Sequence, residues 1–158
     1  MGAPNKSKGT GKTDYCTPAK VIECVLRMGP IQLDPATNKH NTLNAAKFYT
    51  EIDDGLTKEW ESMTFANPPY GRSHNRAWSD KIRSEAKRGV EIIVLQPAAT
   101  STKWFQPYFD YSICFVSGRL QFVGGKDDAN FGCAVIYLGE RNDEFRDAFK
   151  SLGRFGNG

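Results

Sequence analysis

Met63-Thr64-Phe65-Ala66-Asn67-Pro68-Pro69-Tyr70 is the stretch on which the fold turns. Its first four residues favour a strand, and the two prolines end it, because proline cannot donate to a sheet ladder. Downstream, Trp78, Ile82 and Ala86 fall four apart, charges occupy the other faces and Gly89 closes the pattern, which predicts a helix. Val90-Glu91-Ile92-Ile93-Val94-Leu95 follows at once and is apolar on both faces, as strands inside a covered sheet are. Strand, helix and strand in this order predict a parallel pair.

The pattern extends outward. Thr17-Pro18 places a capping hydroxyl before a proline at the first helical position. Val21, Ile22, Val25 and Leu26 then recur at helical spacing until Gly29-Pro30 stops them. Ile31-Gln32-Leu33 reads as a short strand ending at Asp34-Pro35. From Ala45 to Thr50 the reading is open: Phe48 and Tyr49 favour a strand, Ala45 and Ala46 a helix. Tyr111–Val116 and Cys133–Leu138 read as strands with no crossover helix between them, which predicts an antiparallel pair. Leu120–Val123 reads as a short extra strand, and Asp143–Leu152 as a last helix. The expected class is α/β, a mainly parallel sheet flanked by helices with an antiparallel strand pair near the C-terminus.

At 158 residues the chain fits one domain, expected over residues 14–158. Residues 1–13 carry Lys6, Lys8 and Lys12 without an acid and read as a flexible basic arm. Within it, Gly9-Thr10-Gly11-Lys12-Thr13 ends like a phosphate-binding loop, but Lys6 stands where that motif needs glycine. A hydrophobic fraction of 39% excludes disorder along the whole chain. No apolar run approaches the ~18–20 residues of a bilayer span. The first residues lack an apolar signal core, so a cytoplasmic protein is expected. Four cysteines without a C-x-x-C pair and two histidines predict no metal centre.

Charge is polarised. Between Arg72 and Arg88 six basic residues face Asp80 and Glu85, whereas between Glu51 and Glu61 five acids face one lysine. A basic arm and a basic segment suit a polyanion; the segment alone also reads as a solvated helix face.

The chemistry concentrates at Asn67-Pro68-Pro69-Tyr70. Two prolines fix the backbone and remove two donors, leaving carbonyl acceptors beside the Asn67 side-chain oxygen. Such acceptors can take both hydrogens of a planar –NH2 group and expose its lone pair, while Tyr70 supplies a face on which a base stacks. A packed polyproline-like turn is the structural alternative. A second loaded strand end is Asp34-Pro35-Ala36-Thr37, since ligands of open α/β sheets bind beyond the carboxyl ends of strands.

This motif resembles that of amino-methyltransferases that use S-adenosylmethionine. The ordered series resembles the phage and prophage family of Dam-like DNA N6-adenine methyltransferases. It comprises Asp14-Tyr15-Cys16-Thr17-Pro18, Leu33–Thr37, Asp54-Gly55-Leu56 with Trp60, Asn67–Tyr70, Trp78 with Lys81, Leu95-Gln96-Pro97, Trp104-Phe105 and Gly118–Phe122. The resemblance implies a Rossmann-like methyltransferase fold, S-adenosylmethionine as cofactor and double-stranded DNA as partner, in a bacterial host cell. It implies that Asn67, Pro68, Pro69 and Tyr70 form the catalytic motif, Tyr70 stacking on a flipped-out adenine. Thr17, Pro18, Asp34, Pro35, Ala36 and Asp54 fall at cofactor-binding positions, with Thr17-Pro18 opening a helix toward the methionine carboxylate. Asp34 also reads as a strand-end turn residue and Asp54 as part of a plain Asp-Gly turn. The glycine-rich loop of most such enzymes is absent after Asp34.

DNA contacts are expected from Arg72, His74, Asn75 and Arg76 after the motif, and from Lys103 and Arg119, each as a phosphate contact or simply as surface charge. With only short loops for recognition, a short or relaxed target site is expected, or a second subunit in a homodimer. Two other readings stay open: transfer to another planar amine (a different nucleic-acid base or a glutamine amide), or a non-catalytic DNA- or cofactor-binding module. Methylation at cytosine C5 is disfavoured because the chain has no Pro-Cys pair to supply the nucleophile.

Overall fold

In the computed structural model, which describes residues 16–121 and 131–156, the elements follow in the order α1 (Ala19–Arg27), β1 (Leu33–Asp34), β2 (Lys47–Phe48), β3 (Thr64–Ala66), α2 (Arg72–Lys87), β4 (Ile92–Pro97), β5 (Ser112–Val116), β6 (Cys133–Leu138), α3 (Asn142–Phe149) and β7 (Gly153–Gly156). The basic arm, Asp14-Tyr15, Phe122-Val123 of the expected extra strand and the side chain of Arg72 lie outside the described residues. Leu120 and Gln121, which are described, are not strand.

One seven-stranded sheet runs β2-β1-β3-β4-β6-β5-β7. β2, β1, β3 and β4 pair in parallel, and β6 is antiparallel to both β4 and β5. Five strands therefore point one way and only β6 and β7 are reversed, the mixed sheet that the missing crossover helix predicts. The residues from Ala45 to Thr50 resolve as the two-residue edge strand β2. β7 has no counterpart in the sequence reading. Its Gly153-Arg154-Phe155-Gly156 shows no apolar period, and it forms because glycine lets the backbones close. A Cβ on Gly153 would stand 2.0 Å from the Phe115 carbonyl oxygen.

The period of two along β4 distributes its side chains between two cores. Ile93 and Leu95 pack with α1 and α3, through Val21, Val25, Phe145 and Phe149. Ile92 and Val94 pack with α2 and the 106–110 turn, through Trp78, Ile82, Phe105 and Tyr108. Both faces are thus covered, which is why the strand reads as a continuous apolar run.

One local expectation is corrected. Pro18, not Thr17, is the cap residue of α1, and no side chain caps this helix. The first turn closes on the Pro18 carbonyl, which accepts from Val21 and Ile22 N–H at 3.0 and 3.1 Å. Thr17 lies one residue too far out to reach the helical N–H groups, and its hydroxyl serves Asn67 instead.

Candidate active site

From β1 the chain passes outward to β2, and from β3 it passes to β4 on the other side. The carboxyl ends of β1 and β3 therefore flank a topological switch point, where crossovers diverge and leave a crevice. A cavity of about 280 Å³ opens there. Its walls are the loop after β1, the Asp54-Gly55-Leu56 turn opposite, the segment after β3, Thr17 before α1, and His74 and Trp78 of α2.

The wall after β1 is built by Asp34, only 4% exposed, whose Oδ1 accepts the Ala36 N–H at 3.2 Å and folds the loop back. Opposite, Asp54 adopts φ 60° and accepts the Leu56 N–H at 3.3 Å, a turn geometry that aspartate tolerates through its local hydrogen bond. Gly55 makes the two walls meet: a Cβ there would lie 2.1 Å from the Pro35 carbonyl oxygen. Gly55 thus lets the facing turn close on the loop after β1, a loop that itself carries no glycine-rich stretch. Asp54 is thus a turn residue that also lines the cavity.

Behind this turn, the Trp60 indole donates to the Gly55 carbonyl at 3.0 Å and its ring packs on Trp78 at 6.1 Å. Glu85, buried on α2, accepts from Trp60 N–H at 3.2 Å and pairs with Lys81 at 2.9 Å and with Arg88. Burial pushes the Glu85 carboxyl up, but the hydrogen bonds from Lys81 and Arg88 and from the Trp60 N–H outweigh it and hold it below the usual carboxylate range. The Trp60 and Lys81 of the sequence series thus brace the cavity from behind.

Asn67 opens the Asn67-Pro68-Pro69-Tyr70 motif and is 5% exposed. Its Nδ2 donates to Thr17 Oγ1 at 3.0 Å, and its Oδ1 accepts from the Tyr70 hydroxyl at 3.2 Å. Tyr70 is half-buried, with its ring edge-on to Phe131 at 5.2 Å. Burial raises its phenol well above the ordinary range, and Cys133 adds to the shift. Tyr70 therefore stays neutral near neutral pH, with its hydroxyl a hydrogen-bond donor. Asn67, Pro69 and Tyr70 line the cavity, whereas Pro68 is buried behind its wall. Gly71 turns the chain into α2 with φ 131°, a backbone that a side chain rarely adopts.

Of the expected cofactor residues, Thr17, Asp34, Pro35, Ala36 and Asp54 line the cavity and Pro18 stands behind them as the cap of α1. Of the expected DNA residues whose side chains are described, only His74 lines it. Asn75 is half-buried, with a side-chain oxygen that has no hydrogen-bond partner among the described residues. Arg76, Lys103 and Arg119 are exposed, Arg76 in the first turns of α2 and Lys103 and Arg119 in the loops that leave the carboxyl ends of β4 and β5. All three share the edge of the sheet on which the cavity opens. Cys16, Asn38, Thr50 and Glu51 also line the cavity. Cys16 belongs to the ordered series without an assigned role; Asn38, Thr50 and Glu51 went unread because isolated polar residues in loops carry no periodic or motif signal.

Among the described residues no cluster of three or more His, Cys, Asp or Glu is placed to hold a metal ion, and no helix is long and apolar enough to cross a membrane. No curated protein matches the chain at a significant level. The family model for DNA N-6-adenine-methyltransferase (Dam) matches residues 5–154, nearly the whole sequence, and the chain belongs to that family.

Proposed function

We propose that this chain transfers a methyl group from S-adenosylmethionine to N6 of a flipped-out adenine in double-stranded DNA, by direct in-line displacement without a covalent intermediate on the protein. Membership of the family implies adenine N6 methylation of DNA and use of that methyl donor. The observation that carries the finer reading is the Asn67 amide at the cavity wall, held at both ends by Thr17 and Tyr70.

The cavity suits the donor chemically. Asp34, Glu51 and Asp54 offer carboxylates to a ligand that carries hydroxyls, amines and a positive sulfonium. The first N–H groups of α1, which start beside Thr17, suit the ligand's carboxylate. When bound, S-adenosylmethionine would supply the electrophilic methyl group and would keep the electron pair of the broken sulfur–carbon bond, leaving as a neutral thioether.

The rest is the work of the chain's own residues. Tyr70 stacks on the extruded adenine, since N6 is paired inside a duplex and cannot otherwise be reached. Asn67 Oδ1 accepts a hydrogen of the amine, and the backbone carbonyl of Pro68 takes the second. As N6 becomes tetrahedral it gains positive charge, and both acceptors strengthen their hold at that moment, so they favour the transition state over the ground state; the surplus N6 proton then passes to water. Asn75, Arg76, Lys103 and Arg119 hold phosphates and base edges along the carboxyl edge of the sheet, with His74 at the cavity beside the extruded nucleotide, and Arg72 of the same segment is a further phosphate contact.

Transfer of labelled methyl groups to unmethylated DNA, followed by sequencing that reads modified adenines, tests the reading. Asn67→Ala should lower single-turnover transfer by about 100-fold or more while leaving cofactor affinity within a factor of about three. Transfer at the normal rate by that variant, or label on cytosine or on protein, would overturn it.

A further inference from the structure

We infer that Thr17 is a positioning residue for methyl transfer: its hydroxyl holds the Asn67 amide with the oxygen turned toward the target amine. The inference rests on the proposed role of Asn67 and goes beyond a contact with the cofactor, the role expected for Thr17.

An asparagine side chain has an acceptor end and a donor end of nearly equal size. Only the acceptor end can take a hydrogen from an adenine amine; the donor end would meet that amine donor to donor. The catalytic motif therefore works only with one of the two orientations of the amide. Asn67 sits after β3 and Thr17 before α1, 50 residues apart in sequence, yet Oγ1 and Nδ2 lie 3.0 Å apart. Both residues are buried, Thr17 at 8% and Asn67 at 5% exposure, and both face the cavity. With Nδ2 held by Thr17, Oδ1 lies on the Tyr70 side, where the stacked base would be.

Without the hydroxyl, the buried Nδ2 loses this acceptor. Rotation of the amide would relieve that loss by turning the –NH2 group toward the Tyr70 oxygen, which accepts as readily as it donates. The same rotation withdraws the acceptor from the substrate. The helix start that faces the cofactor is thereby tied directly to the group that receives the base, which also explains why Thr17 does not cap α1.

The experiment compares Thr17→Ala and Thr17→Ser with the parent protein, reading S-adenosylmethionine affinity by calorimetry and the single-turnover transfer rate at saturating cofactor and DNA. Thr17→Ala is expected to slow transfer about 10- to 100-fold with cofactor affinity within about threefold, and Thr17→Ser to restore the rate to within about threefold. A serine variant as slow as the alanine variant would overturn the inference, because the methyl group and not the hydroxyl would then matter. So would an alanine variant with weakened cofactor binding and an unchanged saturated rate, which marks a cofactor contact only. An active Asn67→Ala would defeat the underlying reading of Asn67, whereas an inactive Asn67→Ala with a fast Thr17→Ala defeats only the role of Thr17.

Discussion

Replacing Gly55 with alanine isolates the contact that shapes the cavity. A Cβ at this position would stand 2.1 Å from the Pro35 carbonyl oxygen and 3.0 Å from both the Pro35 carbonyl carbon and its Cβ. Gly55 does not occupy the left-handed region, so alanine suits its backbone and the conflict is purely steric. By itself, the loss of glycine's freedom in the unfolded chain would stabilise the protein by about 0.4–1 kcal/mol. The steric term opposes it and is larger. Carbon and carbonyl oxygen need a separation above 3 Å, so one wall must retreat by about 1 Å, and overpacking of this kind typically costs about 1–3 kcal/mol. Retreat of the turn would also stretch the Trp60 indole bond to the Gly55 carbonyl, now 3.0 Å.

The expected result is a melting temperature lower by several degrees, at about 2–4 °C per kcal/mol for a domain of this size. Affinity for S-adenosylmethionine should fall at least about tenfold, because a wall of the cavity has moved by about 1 Å. Gly89→Ala is the control: it has φ 103° and open space around it, so it should lose stability through backbone strain while binding the cofactor normally. A Gly55→Ala protein that melts higher than the parent and binds the cofactor equally well would show that the two walls are not held in contact.

Two further outcomes test the parts around this contact. Tyr70→Phe removes the hydroxyl that meets Asn67 Oδ1 but keeps the ring, and should slow transfer only about two- to fivefold; Tyr70→Ala removes the stacking face and should weaken productive DNA binding by about 1–3 kcal/mol, read as KM for DNA. Glu85→Gln should destabilise the fold by about 1–3 kcal/mol at pH 7, because Lys81 and Arg88 lose their buried partner. Since the folded carboxyl titrates below its ordinary value, its contribution is fully present above the unfolded pKa of about 4.3 and disappears as pH falls through the lower folded value. The difference in melting temperature between parent and variant should therefore close below about pH 4 and stay open at pH 7; a difference independent of pH would contradict the pairing.

The legibility of this chain follows the range of the forces involved. α2 and β4 are set by their own periodicity and by burial on both sides of the sheet, so Trp78, Ile82 and the run from Val90 declare them without help. β6 runs from Cys133 to Leu138, the bounds its apolar run predicts. β2 and β7 are different, being held by partners across the sheet. Lys47 and Phe48 are both exposed and pair only with Leu33 and Asp34, and β7 depends on the missing side chain at Gly153. Nothing local distinguishes such residues from loop. The same divide runs through the site. Asn67-Pro68-Pro69-Tyr70 and Asp34 are visible as chemistry at strand ends, whereas the Thr17–Asn67 and Gly55–Pro35 contacts join segments far apart in sequence. Thr17 was legible as a helix cap, a role its position one residue too early denies it, and through the family resemblance as a cofactor residue, but not as a partner of Asn67.

The sheet order also gives the divided charge a direction. The acids Glu51 and Asp54 line the cavity on the side of β2, the outer parallel edge. The exposed cations Arg76, Lys103 and Arg119 stand on the other side, in α2 and in the loops beyond β4 and β5. The five acids and one lysine of residues 51–61 balance the six cations and two acids of residues 72–88 across Asn67-Pro68-Pro69-Tyr70, and the net charge of +3 equals that of Lys6, Lys8 and Lys12. In the proposed reading this separation orders the two substrates. Carboxylates favour a cationic methyl donor and repel phosphate, so a duplex is attracted to the basic side and can offer a base to Tyr70 only across Asn67. The domain thereby gains orientation from the electrostatics of its cavity walls.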